Sequence, residues 1–235
     1  MKRSYTSLLC IAIGAGLWFS DSEPAARRGS GEDVDRYFRS GTGFFVTYAG
    51  ELLTSGHVVR GCERIEVWPT DASSGVAASL ESIDERLDVA LLATHRSVSR
   101  VAILGGGPIS RGQSVFTIGF GLTPSTPLDP VITRARADGM VRSQARRLFV
   151  LSARLYQGNS GGPVIDERGL IIGMVVGRYL TRPGVGVAIC ASELTRFLAS
   201  AWRTSQTSQS PTERATKEDP GEDLRGISAL VQCVK

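Results

Sequence analysis

A chain of 235 residues, 42% of them hydrophobic, can bury a substantial core in one or two domains, and a formal charge of +4 with 21% charged residues makes it neither a disordered polyelectrolyte nor a strongly basic nucleic-acid binder. Its 27 glycines and 10 prolines suit a turn-rich β protein. Two histidines and four scattered cysteines make no cage for a metal ion, so neither a metal nor an organic cofactor is expected.

Lys2 and Arg3 precede an apolar run from Leu8 to Phe19, which is the grammar of a secretory signal. At about a dozen residues the run is short of the roughly 20 that a spanning helix requires. Residues 1–22 are therefore read as a signal peptide or an N-terminal anchor, and the chain as exported, periplasmic or secreted, touching a membrane only if that segment stays uncleaved. Cys10 opens the apolar run instead of ending it, which argues against a lipid-modified cysteine.

Short strand-like runs follow: Gly43 to Thr47, Glu51 to Ser55, Arg64 to Trp68, Val76 to Ile83 and Ala90 to Ala93, divided by turn signals such as Ser73-Ser74-Gly75. Gly105-Gly106-Gly107-Pro108 then breaks the pattern and reads as a linker. Strands resume at Ser114 to Ile118, Arg136 to Arg142, Leu148 to Ser152, Pro163 to Ile165, Ile171 to Gly177 and Gly186 to Ile189. Many short strands with few helical periods predict an all-β fold in two halves. Ser192 is placed to cap a helix over 193–202, whose Leu194, Phe197, Leu198 and Ala201 recur at steps of three and four. From residue 203 the composition turns to Ser, Thr, Gln, Glu, Asp and Pro, so 203–235 is read as a polar, disordered tail; its last apolar stretch, Ile227 to Val234, is left free to pack back or not.

The chemistry concentrates in Gly158-Asn159-Ser160-Gly161-Gly162-Pro163. Glycines on both sides of a serine let the backbone fold tightly and turn N–H groups towards the hydroxyl. Serine is a poor nucleophile unless a base takes its proton and donors await the oxyanion. One of the two histidines, His57, lies in Thr54-Ser55-Gly56-His57-Val58-Val59, and Asp88 opens Leu87-Asp88-Val89-Ala90-Leu91. The order His57, Asp88, Ser160 supplies base, orienting carboxylate and nucleophile. The N–H groups of Gly158, Asn159 and Ser160 are the candidate oxyanion donors. His95, in the polar Ala93-Thr94-His95-Arg96, reads as a solvated histidine with no catalytic part. Arginines in Thr133-Arg134-Ala135-Arg136 and Arg142 to Arg147 have no interleaved aromatic residues and read as a solvated face, so no nucleic-acid partner is expected.

These motifs resemble the chymotrypsin-fold (trypsin-like) serine proteases, the HtrA/Deg-type branch more than digestive trypsins. Ser40-Gly41-Thr42-Gly43-Phe44-Phe45-Val46 resembles the strand ahead of the family's histidine, and Gly184-Val185-Gly186-Val187-Ala188-Ile189 a later one. The resemblance implies two six-stranded antiparallel β-barrels with a short C-terminal helix over 34–202: barrel one at about 34–107, barrel two at about 111–190. It implies a serine endopeptidase acting on proteins or peptides, among them unfolded exported proteins, with a catalytically silent binding module as the alternative and an esterase as a further rival. Trypsin's cation-binding aspartate stands six residues before the nucleophile, where this chain has Arg154, so a basic residue before the scissile bond (P1) is not expected. Leu155, Gly173, Met174 and Val175 are expected to line an apolar pocket instead. The tail is too short for the PDZ domain that follows many such proteases. Cys62 lies where trypsin-like enzymes often carry a bridge, yet its usual partner is missing from 44–53; Cys62, Cys190 and Cys233 are read as buried hydrophobes, with Cys190–Cys233 left open as a pair.

Trypsin-type zymogens use an aspartate beside the nucleophile to receive a newly freed N-terminus. Asn159 stands there and forms no such ion pair. Extra residues ahead of residue 34 are therefore expected to leave activity in place; an inert extended form beside a working trimmed form would refute this.

Overall fold

The computed structural model describes residues 37–70, 72–105, 107–120, 129–143, 146–178, 182–204 and 219–234. The expected signal segment lies outside them, as does 205–218 of the tail. Five strands and one turn of helix come first: β1 (Tyr37–Phe45), β2 (Glu51–Ser55), α1 (Gly56–Val59), β3 (Arg64–Pro69), β4 (Val76–Asp84) and β5 (Val89–Ala93). Six strands follow: β6 (Gln113–Gly119), β7 (Val131–Ser143), β8 (Arg146–Ser152), β9 (Pro163–Ile165), β10 (Ile171–Arg178) and β11 (Val185–Cys190). The described chain finishes with α2 (Ala191–Thr204), α3 (Pro220–Ile227) and β12 (Ser228–Val234).

Two closed barrels result, one in the order β1-β12-β3-β4-β5-β2 and the other β10-β11-β8-β7-β6-β9. All pairings within them are antiparallel. The second barrel is contiguous in sequence, as expected. The first is not: its sixth strand is β12, inserted between β1 and β3 with Gly43 opposite Ala229 and Val67 opposite Val231. This corrects the disordered-tail reading for 219–234, and with it the 34–107 boundary of barrel one. A barrel leaves no strand edge unpaired only when every strand has two neighbours, and β1 and β3 would each lack one without β12. The same partner explains why β1 starts at Tyr37, six residues ahead of the expected strand: pairing to β12 carries its polar Arg39 to Thr42 stretch.

Three apolar clusters divide the interior. Phe45, Leu52, Ile65, Val67, Leu92 and Val231 fill barrel one, and Val115, Phe149, Leu151, Val164 and Ala188 fill barrel two. A third joins Phe44, Leu53 and Leu91 of the first barrel to Ile118, Ile165 and Met174 of the second. It is sealed by Leu194, Phe197, Leu198 and Ala201 of α2, on the expected face, and by Leu224 and Ile227 of α3. The Asp219 side chain accepts from Gly221 N and Pro220 opens α3, which supplies the start signal for that helix. Ser192 falls inside the first turn of α2 instead of capping it. The glycine-rich linker is fastened to barrel two, where Gly105 N donates to Ile171 O at 2.7 Å and Ile171 N to Ile103 O at 2.8 Å.

β12 is held covalently as well. Cys233 forms a disulfide with Cys62, across a Cα–Cα distance of 5.4 Å and 171 residues of sequence. Cys190 is buried and free, and burial pushes its thiol up to about 11. The pairing left open for Cys190 is thus corrected: Cys233 is bonded to Cys62, and the Cys190 side chain sits in the barrel-two core. In the chain-entropy model a loop of this length is worth about 5 kcal/mol, and measured losses run at about 2–5 kcal/mol. Cys233→Ser is therefore expected to lower stability by about 2–5 kcal/mol in urea unfolding. A reductant should bring the wild type, but not the variant, down by a similar amount.

Candidate active site

The barrel-one half of the site follows from register. β2 and β5 pair with Ser55 opposite Val89, so the residues just beyond, Gly56-His57 and Asp88, must meet. Gly56 N donates to Asp88 O at 3.0 Å. Asp88 adopts a positive φ of 62°, a strained conformation that aspartate tolerates better than most residues. Its carboxylate is thereby turned back on the histidine from two directions. Asp88 Oδ1 accepts from His57 N at 2.8 Å, and Oδ2 lies 2.7 Å from His57 Nδ1. With Nδ1–H committed to a carboxylate, Nε2 is the nitrogen left to take a proton. His57 sits on the one-turn helix α1, not on a strand end, and its side chain is 35% exposed. Arg39 fixes that turn from β1: Nη1 donates to His57 O at 2.6 Å and Nη2 to Arg60 O. Burial, followed by the neighbouring Arg60, pulls the Arg39 guanidinium below the ordinary arginine value. Nothing in the local sequence marks Arg39, because its role depends on a turn 18 residues away.

The barrel-two half is the turn around Ser160. Gly158 and Gly161 have φ of +97° and +85°, where any other side chain would be strained. A Cβ on Gly161 would also run into Thr42 O and Thr54 Oγ1. Asn159 closes the turn on itself: its N donates to Tyr156 O at 3.2 Å, and its Oδ1 accepts from Tyr156 N at 2.8 Å. The Asn159 N–H is thus already used, which corrects its place among the three expected oxyanion donors. Among the described residues, Gly158 N and Ser160 N have no protein acceptor.

Thr42, fully buried, joins the halves. Its N donates to Ser160 O at 2.8 Å, and its hydroxyl donates to Gly158 O at 2.7 Å while accepting from Phe120 N at 3.2 Å. The carbonyl of Val175 on β10 gathers a second set: Gly161 N at 2.8 Å and the Ser55 hydroxyl at 3.3 Å. One oxygen therefore holds both the residue after Ser160 and the residue two before His57. His57 and Asp88 are in direct contact, and Ser160 is brought to them through this seam. No hydrogen bond links Ser160 Oγ to the imidazole.

Of the residues expected to line a pocket, Leu155 does so. A cavity of about 150 Å³ lies among Ala153, Arg154, Leu155, Tyr156, Arg178, Pro183, Gly184 and Val185. Gly173, Met174 and Val175 do not line it: β10 has strand neighbours on both sides, Met174 and Val175 are buried in the cores, and a Cβ on Gly173 would strike Ile189 O and Phe149. His95 is exposed, hydrogen-bonded at 3.1 Å to the Ser79 hydroxyl, on the strand β4 side of barrel one.

Residues 41–174 match the family described as trypsin-like peptidase domain. The chain is 30% identical to serine protease HTRA1 of Xenopus tropicalis over 72% of its own length, and 29% identical to serine protease Rv3671c of Mycobacterium tuberculosis (strain H37Rv) over 70%. It covers only 38% and 42% of those proteins, so it spans about two-fifths of the length of these relatives. A crystal structure of Rv3671c protease in an inactive form superposes with a TM-score of 0.60 at 25% identity, over 71% of this chain and 86% of that one.

Replacing Thr42 by valine keeps the shape and removes the hydroxyl, leaving the buried Gly158 C=O and Phe120 N–H unpaired. Unfolding in urea should show a loss of about 2–6 kcal/mol, from about 1–3 for each of the two orphaned groups. Thr42→Ser should retain most of the wild-type stability.

Proposed function

Because this chain belongs to the trypsin-like peptidase domain family, we propose that it is a serine endopeptidase using His57, Asp88 and Ser160. The observation that carries the reading is the two-pronged grip of Asp88 on His57, one oxygen on the backbone N–H and the other on Nδ1. That grip fixes the imidazole with Nε2 as the base. Ser160 Oγ attacks the substrate's carbonyl carbon as its proton passes to Nε2, and Asp88 stabilises the imidazolium that forms. Gly158 N–H and Ser160 N–H receive the oxyanion. Collapse breaks the C–N bond, Nε2 returns its proton to the leaving amine, and water hydrolyses the acyl-enzyme by the same route.

Substrates in this reading are proteins or peptides, unfolded exported proteins among them. Export is supported by the apolar run behind Lys2 and Arg3, and by the Cys62–Cys233 disulfide, a bond that persists in oxidising compartments. The apolar P1 preference expected from the sequence keeps Leu155 alone at the cavity, since Gly173, Met174 and Val175 do not line it. The purified protein should react with a fluorophosphonate probe and hydrolyse unfolded casein. Ser160→Ala should abolish labelling and lower kcat by about 10⁶. Folded wild type that neither labels nor cleaves would favour the alternative, a protease-fold binding module.

A further inference from the structure

We infer that the cavity beside Ser160 selects an acidic P1 residue, glutamate or aspartate, through Arg154 and Arg178. The inference rests on the protease reading above for the word P1, but its observations are independent of the nucleophile.

The cavity's position follows from the chain on both sides of it. Its first wall, 153–156, runs straight into the Gly158–Ser160 turn, and Tyr156 is bound to Asn159 through both backbone and side chain. Its second wall carries Arg178, the last residue of β10, three positions after the Val175 carbonyl that holds Gly161. Its third, Pro183 to Val185, is tied to the first where Ala153 N donates to Gly184 O at 2.9 Å. A side chain entering here belongs to a residue whose backbone lies at the Ser160 turn.

The lining decides what that side chain is. Ala153 and Leu155 are buried, Leu155 lying against Gly186, so the alternate residues Arg154 and Tyr156 face outward. Arg154 and Arg178 are the charged members of the lining, and among the described residues neither has a carboxylate partner. Arg182 lies next to the third wall and adds to the positive field, while the Asp138 carboxylate accepts a hydrogen bond from Ser152, one residue outside the lining. Guanidinium groups offer planar pairs of donors that match a carboxylate and repel an ammonium. A basic P1 residue is thus excluded by charge. An aliphatic one would cover two guanidinium groups without pairing either.

The test reads binding, so that it stands whether or not the protein cleaves. Fluorescein-labelled hexapeptide pools, degenerate except for a C-terminal Glu, Gln, Leu or Lys, are titrated against full-length Ser160→Ala protein by fluorescence anisotropy. The Glu pool should bind at least tenfold more tightly than the Gln pool. That ratio should fall below about threefold with Arg154→Ala, and Arg154→Glu should move the preference to the Lys pool. Raising salt from about 0.05 to 0.5 M should shrink the Glu-to-Gln ratio without any further substitution, which serves if a variant misfolds. Equal binding of the Glu and Gln pools, tighter binding of the Leu pool, or no binding of any pool would overturn the inference. Failure of the wild type to label or cleave overturns the protease reading alone, because these ratios remain readable.

Discussion

Two barrels that fold around separate cores have no intrinsic reason to present a histidine and a serine to one point. The hydrogen bonds across their seam supply it. Thr42 gives its N–H to the Ser160 carbonyl and its hydroxyl to the Gly158 carbonyl, while the Val175 carbonyl takes Gly161 N–H and the Ser55 hydroxyl. Each such bond contributes only about 1 kcal/mol net, but the groups are buried, and a buried group left unpaired costs more than a made bond gains. The seam therefore tolerates one arrangement. Sliding the barrels apart would orphan several main-chain groups at once, and the apolar cluster sealed by α2 and α3 holds them in contact from behind.

Within barrel one the same logic acts through strain. Asp88 occupies a left-handed conformation at the end of the short reversal between β4 and β5, which pair with Asp84 opposite Val89. A carboxylate in that conformation reaches both the N–H and the ring of His57, and the two hydrogen bonds offset the backbone penalty. Arg39 completes the frame by holding the carbonyl end of the same turn.

Eleven of the twelve strands among the described residues are legible because each carries an apolar or alternating run of its own. The nucleophile turn was legible because only glycines allow its φ values. β12 was not assigned, although Ser228 to Val234 is plainly apolar, since a strand that closes a barrel is defined by its partners and these lie far back in the sequence. The disulfide is not legible for the same reason: residues 44–53 offer Cys62 no partner, and the one it has is 171 residues on. Thr42 and Arg39 were passed over because their roles are tertiary. Gly173, Met174 and Val175, which the resemblance implies at the pocket, are buried within β10 instead, because the side a strand residue presents is set by its partners in the sheet.

The insertion of β12 also imposes an order on how the chain acquires its shape. A polypeptide made from its N-terminus releases β1 to β5 first, yet these five strands have two open edges until residues 228–234 arrive. Barrel two, whose strands are contiguous, can close beforehand. The half bearing His57 and Asp88 thus receives its closing strand only after all six strands of the half bearing Ser160 have been made. A chain still being made holds a complete serine turn beside an open first barrel. The topology itself keeps the His57–Asp88 pair from meeting the Ser160 turn in a closed frame until residues 228–234 have been made.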